Sequence, residues 1–396
     1  MVVNHAERSA KLKTTIRNFS LAAVAAFGVL SAAAETIVDV SGVGTAKFSV
    51  SVNVSNAMFA KSLTKNLELS GLFKVEPNGS VKVTGTPGAI KAEGRGKVLR
   101  SQEAFSDDKS ARMAARKLSD AMVAAFSNGE QKGFALDRVV FMNRGRMQGG
   151  RETPGELCVA YPDGYDIRQL TSDGRTALGA RWKGRDSIYY VSYLKDSPRA
   201  YEVEVATGRR QPVWKDIAVS SPAVLSPDGT KVAVVASFQG NNELYIFANG
   251  RYTRLTNTPN ASEGTPTWSP DGKKIAYVSD EARGQQIYVV DVATKAKRRL
   301  TNRGRKNIDP DWGRDGRIVY ISGNQVAVMS PADGDKSSRY VTEPANWEHP
   351  SWSRDARHVV ANRDKALFVI DTLEGGDKPR QMFFANGNWI SPCWAK

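Results

Sequence analysis

The sequence predicts an all-β six-bladed β-propeller preceded by a smaller N-terminal α/β domain. Three observations predict it. One phrase recurs every 40 to 44 residues over the last two thirds of the chain, each period holds four strand-like segments, and two strands at opposite ends of the repeat region are unmatched and complete each other.

The chain opens on a leader. Arg8, Lys11, Lys13 and Arg17 precede an apolar run over 19–30, and Ala32 and Ala34 supply an A-x-A cleavage site before Glu35. At ~1.5 Å per residue the run spans about 20 Å, short of a bilayer core of ~30 Å, so residues 1–34 read as a removed signal peptide. No cysteine follows the site, which argues against a lipoprotein. Export, most simply to a bacterial periplasm, follows.

Residues 35–132 form the first domain, where strand-like and helix-like periods alternate. Lys47–Val54 alternates as a strand. From Asn56 to Ser70, Phe59, Leu63 and Leu67 share one helical face, with Gly71 as the C-cap. Short strands run on to Arg100. Ser106 then caps a longer helix with an apolar stripe of Ala114, Leu118, Ala121, Met122 and Ala125. The polar, glycine-bearing stretch SNGEQKG, 127–133, joins this domain to the propeller.

The propeller occupies 133–396. Its clearest repeat reads TPTWSPDGKKIAYVSD over 265–280; anchored on Trp268, the equivalent positions are Trp182, Leu225, Trp312, Trp352 and Trp394, with steps of 43, 43, 44, 40 and 42 residues. Ser-Pro-Asp-Gly at 226–229 and 269–272 reads as a tight hairpin, because Pro presets φ at the second position of a type I turn and Asp and Gly suit the third and fourth. Weaker copies stand at 313–316 and 353–356. Strands of the type that follows this turn are expected at 138–143, 187–192, 231–237, 274–279, 317–322 and 358–363. The first of them has no Trp strand before it, and the last Trp strand, ISPCWAK, has no partner after it. The C-terminal strand therefore closes the first blade, which removes free sheet edges. The Trp side chains are expected as core between neighbouring blades.

Composition is that of an ordinary globular protein, 41% apolar, with a net charge of +15. Without the leader, 52 basic and 40 acidic residues leave +12. The excess gathers at 295–306. This is either a solvated outer edge that discourages strand addition or an attraction to an acidic protein or anionic envelope polymer, and export argues against nucleic acid. Two cysteines in an exported chain suggest a disulfide. The repeat register places Cys393 on the innermost strand and Cys158 on the third strand of the closing blade, so their backbones lie about 9 to 10 Å apart, beyond the roughly 7 Å limit for a bridge.

Catalytic motifs are scarce. There is no G-x-S-x-G, H-E-x-x-H, C-x-x-C or P-loop, and of three histidines only His349 and His358 remain after the leader. The Asp-Gly turns match neither an EF-hand loop nor a sialidase Asp-box, and their carboxylates are explained by turn chemistry. No cofactor or metal is called for. Glu263, Asp309 and Glu348 are expected in loops just before the inner strands, crowding one mouth of the central channel with Thr265, Trp347, His349 and Trp389. These residues either cap strands and stay hydrated or form a concave binding mouth with aromatic anchors.

The signal peptide, the small α/β domain and the six blades marked TPTWSPDGKKIAYVSD and ending ISPCWAK together resemble the TolB family, the periplasmic component of the Tol-Pal envelope system. The resemblance implies a periplasmic, monomeric, non-enzymatic adaptor. Its propeller mouth would bind the peptidoglycan-associated lipoprotein Pal, and Glu35–Gly44 would engage the inner-membrane protein TolA, with no nucleic acid and no membrane insertion. Its role would be envelope integrity and outer-membrane constriction at division. A rival reading is an exported enzyme or glycan-binding propeller, which a mouth carboxylate pair about 5 to 9 Å apart would favour. A third is a purely structural envelope protein. Similar repeats occur in propellers fused to serine peptidases, whose hydrolase domain has no counterpart motif in this sequence.

Overall fold

The computed structural model describes residues 48–395 except 145–146, 149–150, 153–154, 176, 194–197, 214–222, 238–239, 374–377 and 384–387. Residues 1–34, expected as a leader, and Glu35–Gly44 lie outside the described residues.

The N-terminal domain runs β1 (Phe48–Val54), α1 (Ala57–Leu69), β2 (Phe73–Val75), β3 (Val81–Thr86), β4 (Ala89–Gly94), β5 (Lys97–Ser101) and α2 (Asp108–Phe126). Its sheet has the order β2-β1-β3-β4-β5, with β1 parallel to both neighbours and the rest antiparallel. Asn56 accepts the Phe59 N–H at 2.9 Å to start α1, and Gly71, just past its end, takes φ +72°. Phe59, Leu63 and Leu67 are fully buried as their spacing predicts. The second helix differs from expectation at two points. Its cap is Asp107 rather than Ser106, in a reciprocal arrangement with Ser110, because a Ser-Asp-Asp run offers several competing caps. Ala121 faces solvent, and the buried stripe instead takes in Ala111, Ala115, Val123 and Phe126.

Six four-stranded antiparallel sheets follow. The inner strands are Ala177–Lys183, Val224–Leu225, Glu263–Trp268, Asn307–Trp312 and Trp347–Trp352 in blades 2 to 6. Blade 1 takes its inner strand from the C-terminus. Trp389–Trp394 pairs antiparallel with Val139–Asn143, which continues to Glu156–Ala160 and Arg168–Gln169. The expected second strands are found at 139–143, 187–192, 232–236, 274–279, 318–322 and 358–363, each within one residue at either end. Cys158 and Cys393 are buried free thiols on strands separated by Val139–Asn143, and burial pushes the Cys158 thiol up to about 12.

The repeated turn works through its Ser and Asp. Gly229 and Gly272 N–H each donate to the carbonyl three residues back at 2.9 Å, while the Ser226 and Ser269 hydroxyls each reach the turn Asp at 2.6 Å. The anchoring tryptophans lie between blades. Trp268 packs on Ala233 and Val235 of blade 3, Trp352 on Val319 and Ile321 of blade 5, and Trp394 on Val360 and Val369 of blade 6. Hydrogen bonds follow the same seams. The Trp312 N–H donates to Thr267 Oγ1 (3.1 Å), the Trp352 N–H to Asp311 Oδ2 (2.8 Å) and the Trp394 N–H to Ser351 Oγ (3.2 Å), so the residue before each anchor ties down the anchor of the next blade.

The N-terminal domain docks on the propeller face that carries the strand 1–2 and 3–4 turns. Arg116 of α2, fully buried, forks onto Asp163 of blade 1 with two bonds of 2.9 Å, and its guanidinium lies 3.9 Å from the Tyr161 ring centroid. Ser62 and Asn66 of α1 donate to the same carboxylate.

Candidate binding face at the channel mouth

The opposite face is built from the first halves of the inner strands, and these share an irregularity. Counting back from the anchor, the register shifts between the fourth and first preceding residues in blades 1, 2, 4, 5 and 6. The residue at the third preceding position takes positive φ in each: Ser391 (49°), Gly179 (60°), Thr265 (38°), Asp309 (53°) and His349 (50°). The equivalent Pro222 of blade 3 lies outside the described residues. A bulge of this kind suits glycine, and blade 2 uses one. Four blades place Thr, Asp, His and Ser there instead, against a backbone cost of order 1–3 kcal/mol each. The inner strands of blades 4, 5, 6 and 1 thus carry a polar side chain at this ring position.

Blades 5, 6 and 1 bring some of these ring residues together. His349 Nδ1 lies 3.3 Å from Asn362 Oδ1, and the Ser391 N–H donates to the same oxygen at 3.2 Å. The Asn362 amide nitrogen donates to Glu348 Oε2 at 3.0 Å. With that orientation of the amide, Asn362 Oδ1 can only accept, so Nδ1 of His349 carries the proton and Nε2 faces Asp309 Oδ2 at 3.9 Å. Glu348 is exposed, and the His349 and Asp309 side chains keep 41% and 15% of their surface open, so the group is reachable from outside.

Of the residues singled out from sequence, the structure brings Asp309, Glu348 and His349 together and puts Thr265 at the ring position of blade 4. They lie within the inner strands, not in loops before them, since the bulge lets each strand start five residues ahead of its anchor. Glu263, Trp347 and Trp389 are not mouth residues. All three occupy the fifth position before an anchor, which is buried, at 4%, 2% and 7% exposure. Trp347 and Trp389 pack edge-on against Phe368 and Phe141, so they are core and not aromatic anchors for a partner.

Glu263 meets a second carboxylate there. Thr258 Oγ1 lies 2.5 Å from Glu263 and 3.1 Å from Glu243. Burial works against the Glu243 carboxylate, but bonds from Thr256, Thr258 and Arg254 hold it below its ordinary value. Burial, reinforced by Glu243, pushes Glu263 up to about 7. A carboxyl raised in the folded state favours folding when protonated. Its contribution is full below about 4.5, the unfolded value, and is lost as pH rises through about 7. Glu263→Gln is therefore expected to remove a stability loss of up to about 3 kcal/mol between pH 4.5 and 8, read by denaturant titration at several pH values. Parallel pH profiles in the two proteins would mean that folding leaves the Glu263 carboxyl unshifted.

Asn362 and Ser391 were not singled out from sequence, yet a signal exists. At the position of Asn362 the other five second strands carry Met142, Val191, Val235, Val278 and Ile321. A polar residue in a strand position that is otherwise apolar marks the blade whose inner strand faces it with Glu348.

The TolB beta propeller domain model matches residues 129–396. Among solved structures, TolB from Acinetobacter baumannii superimposes with a TM-score of 0.74 at 20% identity, covering 88% of this chain and 96% of that one. An uncharacterized protein of Agrobacterium fabrum is 29% identical over 191 residues, 43% of this chain and 64% of its own length. The uncharacterized peptidase YuxL of Bacillus subtilis is 25% identical over 192 residues, 44% of this chain and 29% of its own length. The chain thus spans less than two thirds of these curated relatives. With the family model covering the whole propeller, and the fold shared along nearly the full length of a solved TolB, the chain belongs to the TolB β-propeller family.

Proposed function

We propose that this protein is a periplasmic, non-enzymatic adaptor of a Tol-Pal envelope system. Its channel-mouth face binds a Pal-like lipoprotein, and Glu35–Gly44 binds a TolA-like inner-membrane protein, in the service of outer-membrane integrity and constriction at division. The observation that supports it best is the ring. Four blades accept a left-handed backbone at a non-glycine residue in one register position, where the glycine of blade 2 meets the same geometry without a side chain. Side chains held there at such a cost are best explained by what they contact. The wiring of His349 also suits binding more than nucleophile activation, since its nitrogens face an amide oxygen and a carboxylate. No helix among the described residues is long and apolar enough to cross a membrane.

The test is affinity purification of the mature tagged protein from its envelope, with mass spectrometry at low and moderate salt. Recovery of a Pal-like lipoprotein is expected. The double variant Glu348→Ala/His349→Ala is expected to weaken that binding at least tenfold with Tm within a few degrees of the parent. Glycan alone in the eluate would favour a sugar-binding propeller, and a large loss of Tm would return both residues to a structural role.

A further inference from the structure

The mouth face has a second feature, at the junction of blades 4 and 5. Two loops meet there: 280–285, between the second and third strands of blade 4, and 300–306, which leads into the inner strand of blade 5. Lys306 stands three residues before Asp309 of the ring. The loops are braced against each other. The Gln285 N–H donates to the Arg305 carbonyl (3.0 Å), the Asn307 N–H to the Gln285 carbonyl (2.8 Å) and the Gln286 amide to the Gly304 carbonyl (2.9 Å). The Asn307 side chain holds the Arg303 carbonyl at 2.7 Å, and the Gly323 N–H reaches the Lys306 carbonyl at 2.7 Å. The approach is close enough that a Cβ on Gly284 would lie 2.9 Å from the Arg305 carbonyl oxygen.

This rigid corner displays Arg283, Arg303, Arg305 and Lys306, all exposed. Of the nearby carboxylates, Glu281 is paired elsewhere, while Asp280 and Asp335 keep their charge but turn it to backbone N–H groups. Asp280 accepts the Ser262 N–H at 2.7 Å, Glu281 pairs with Lys297 at 2.7 Å, and Asp335 accepts the Arg303 N–H at 3.0 Å. Among the described residues, none of the four cationic side chains is in an ion pair. Four like charges held on a fixed backbone repel one another, and an anionic counterpart would relieve that repulsion.

We infer that this corner docks an acidic segment of a protein partner on the mouth face. A flat anionic surface fits less well, because the adjoining blades 5 and 6 present exposed Glu343 and Glu348 on the same face, which a uniform polyanion would meet with repulsion. The matching partner is patterned, acidic over the junction of blades 4 and 5 and not over the junction of blades 5 and 6. The inference rests on the reading of this face as a partner-binding face and adds the charge that the partner presents there.

The experiment uses the full mature protein and two probes, a fluorescent deca-glutamate peptide followed by anisotropy and phosphatidylglycerol vesicles followed by co-sedimentation. The peptide is expected to bind at low salt, to weaken severalfold by 200 mM salt, and to bind roughly tenfold more weakly to R283Q/R303Q/R305Q/K306Q. Removing the fourth-strand charges with K295Q/R298Q/R299Q is expected to change it less than twofold, which separates the corner from bulk charge. Lipoprotein recovery by the parent protein without any peptide binding would sink the corner alone, whereas peptide binding without lipoprotein recovery would sink the reading of the mouth, so the two failures are distinct. Equal peptide loss in both charge variants, or no peptide binding, would overturn the inference. So would vesicle binding that depends on the four residues, which would assign the corner to a membrane surface.

Discussion

A chain that ends at Asn388 is expected to lose cooperative unfolding altogether. The deletion removes the whole inner strand of blade 1, and with it Trp389, Ile390, Cys393 and Trp394, all at or below 7% exposure. Trp394 sits between blade 6 and blade 1 against Phe134, Val360 and Val369. The Cys393 carbonyl accepts the Trp182 indole N–H at 3.0 Å, so the strand also ties blade 2. Truncating one buried tryptophan to alanine costs about 3 to 5 kcal/mol, and two such losses approach or exceed a typical total stability of about 5 to 15 kcal/mol. The deletion further exposes the edge of Val139–Asn143, an invitation to intermolecular pairing. Circular dichroism melting and light scattering read both effects, with Trp394→Ala, down by about 3 to 5 kcal/mol but still folded, as the graded control. A synthetic peptide of the sequence WISPCWAK added in trans should restore part of the transition. A truncated chain that melts like the parent would show that closure does not depend on this strand.

That closure was legible in the sequence because it rests on counting. Two unmatched strands of complementary type stand at opposite ends of the repeats, and a one-residue slip of a strand would turn its whole apolar face outward. The turns were legible because Ser-Pro-Asp-Gly has local chemistry that needs no partner. The site was legible only in part. Asp309, Glu348 and His349 do meet, but Trp347 and Trp389 looked like mouth residues only because the period was read without its bulge. The two-for-one register shift starts each inner strand five residues before its anchor and places residue five between blades, where an aromatic becomes core. Nothing in the spacing of a strand announces a bulge except a residue able to hold positive φ, and Gly179 is the one glycine at that position. The Asn362 hub was missed for a different reason: its partners lie 13, 14 and 29 residues away, on strands of two different blades.

The join between the two domains could not be read from periodicity at all, and it supports the second large effect. Asp163→Ala is expected to cost about 3 to 5 kcal/mol, because it leaves the Arg116 guanidinium buried with half of its partners gone. The magnitude follows from the setting. Both side chains have no exposed surface, and the carboxylate accepts two bonds from Arg116, one from Ser62 and one from Asn66, so no water is at hand to replace it. Asp166 lies 2.9 Å from a third Arg116 nitrogen but is itself shared with Arg112, which limits what it can compensate. Replacing both members, as Arg116→Met with Asp163→Leu, should recover most of the loss, since removing a buried pair together avoids the stranded charge. Denaturant titration of the two single variants and the double variant measures the coupling directly, and hydrogen exchange at Ser62 and Asn66 tells whether the loss appears as undocking of α1 or as global unfolding. A loss below 1 kcal/mol for Asp163→Ala would mean that the domains hold together through α1 contacts such as Lys65 to the Gln381 carbonyl, at 2.7 Å, and that the ion pair only sets their orientation.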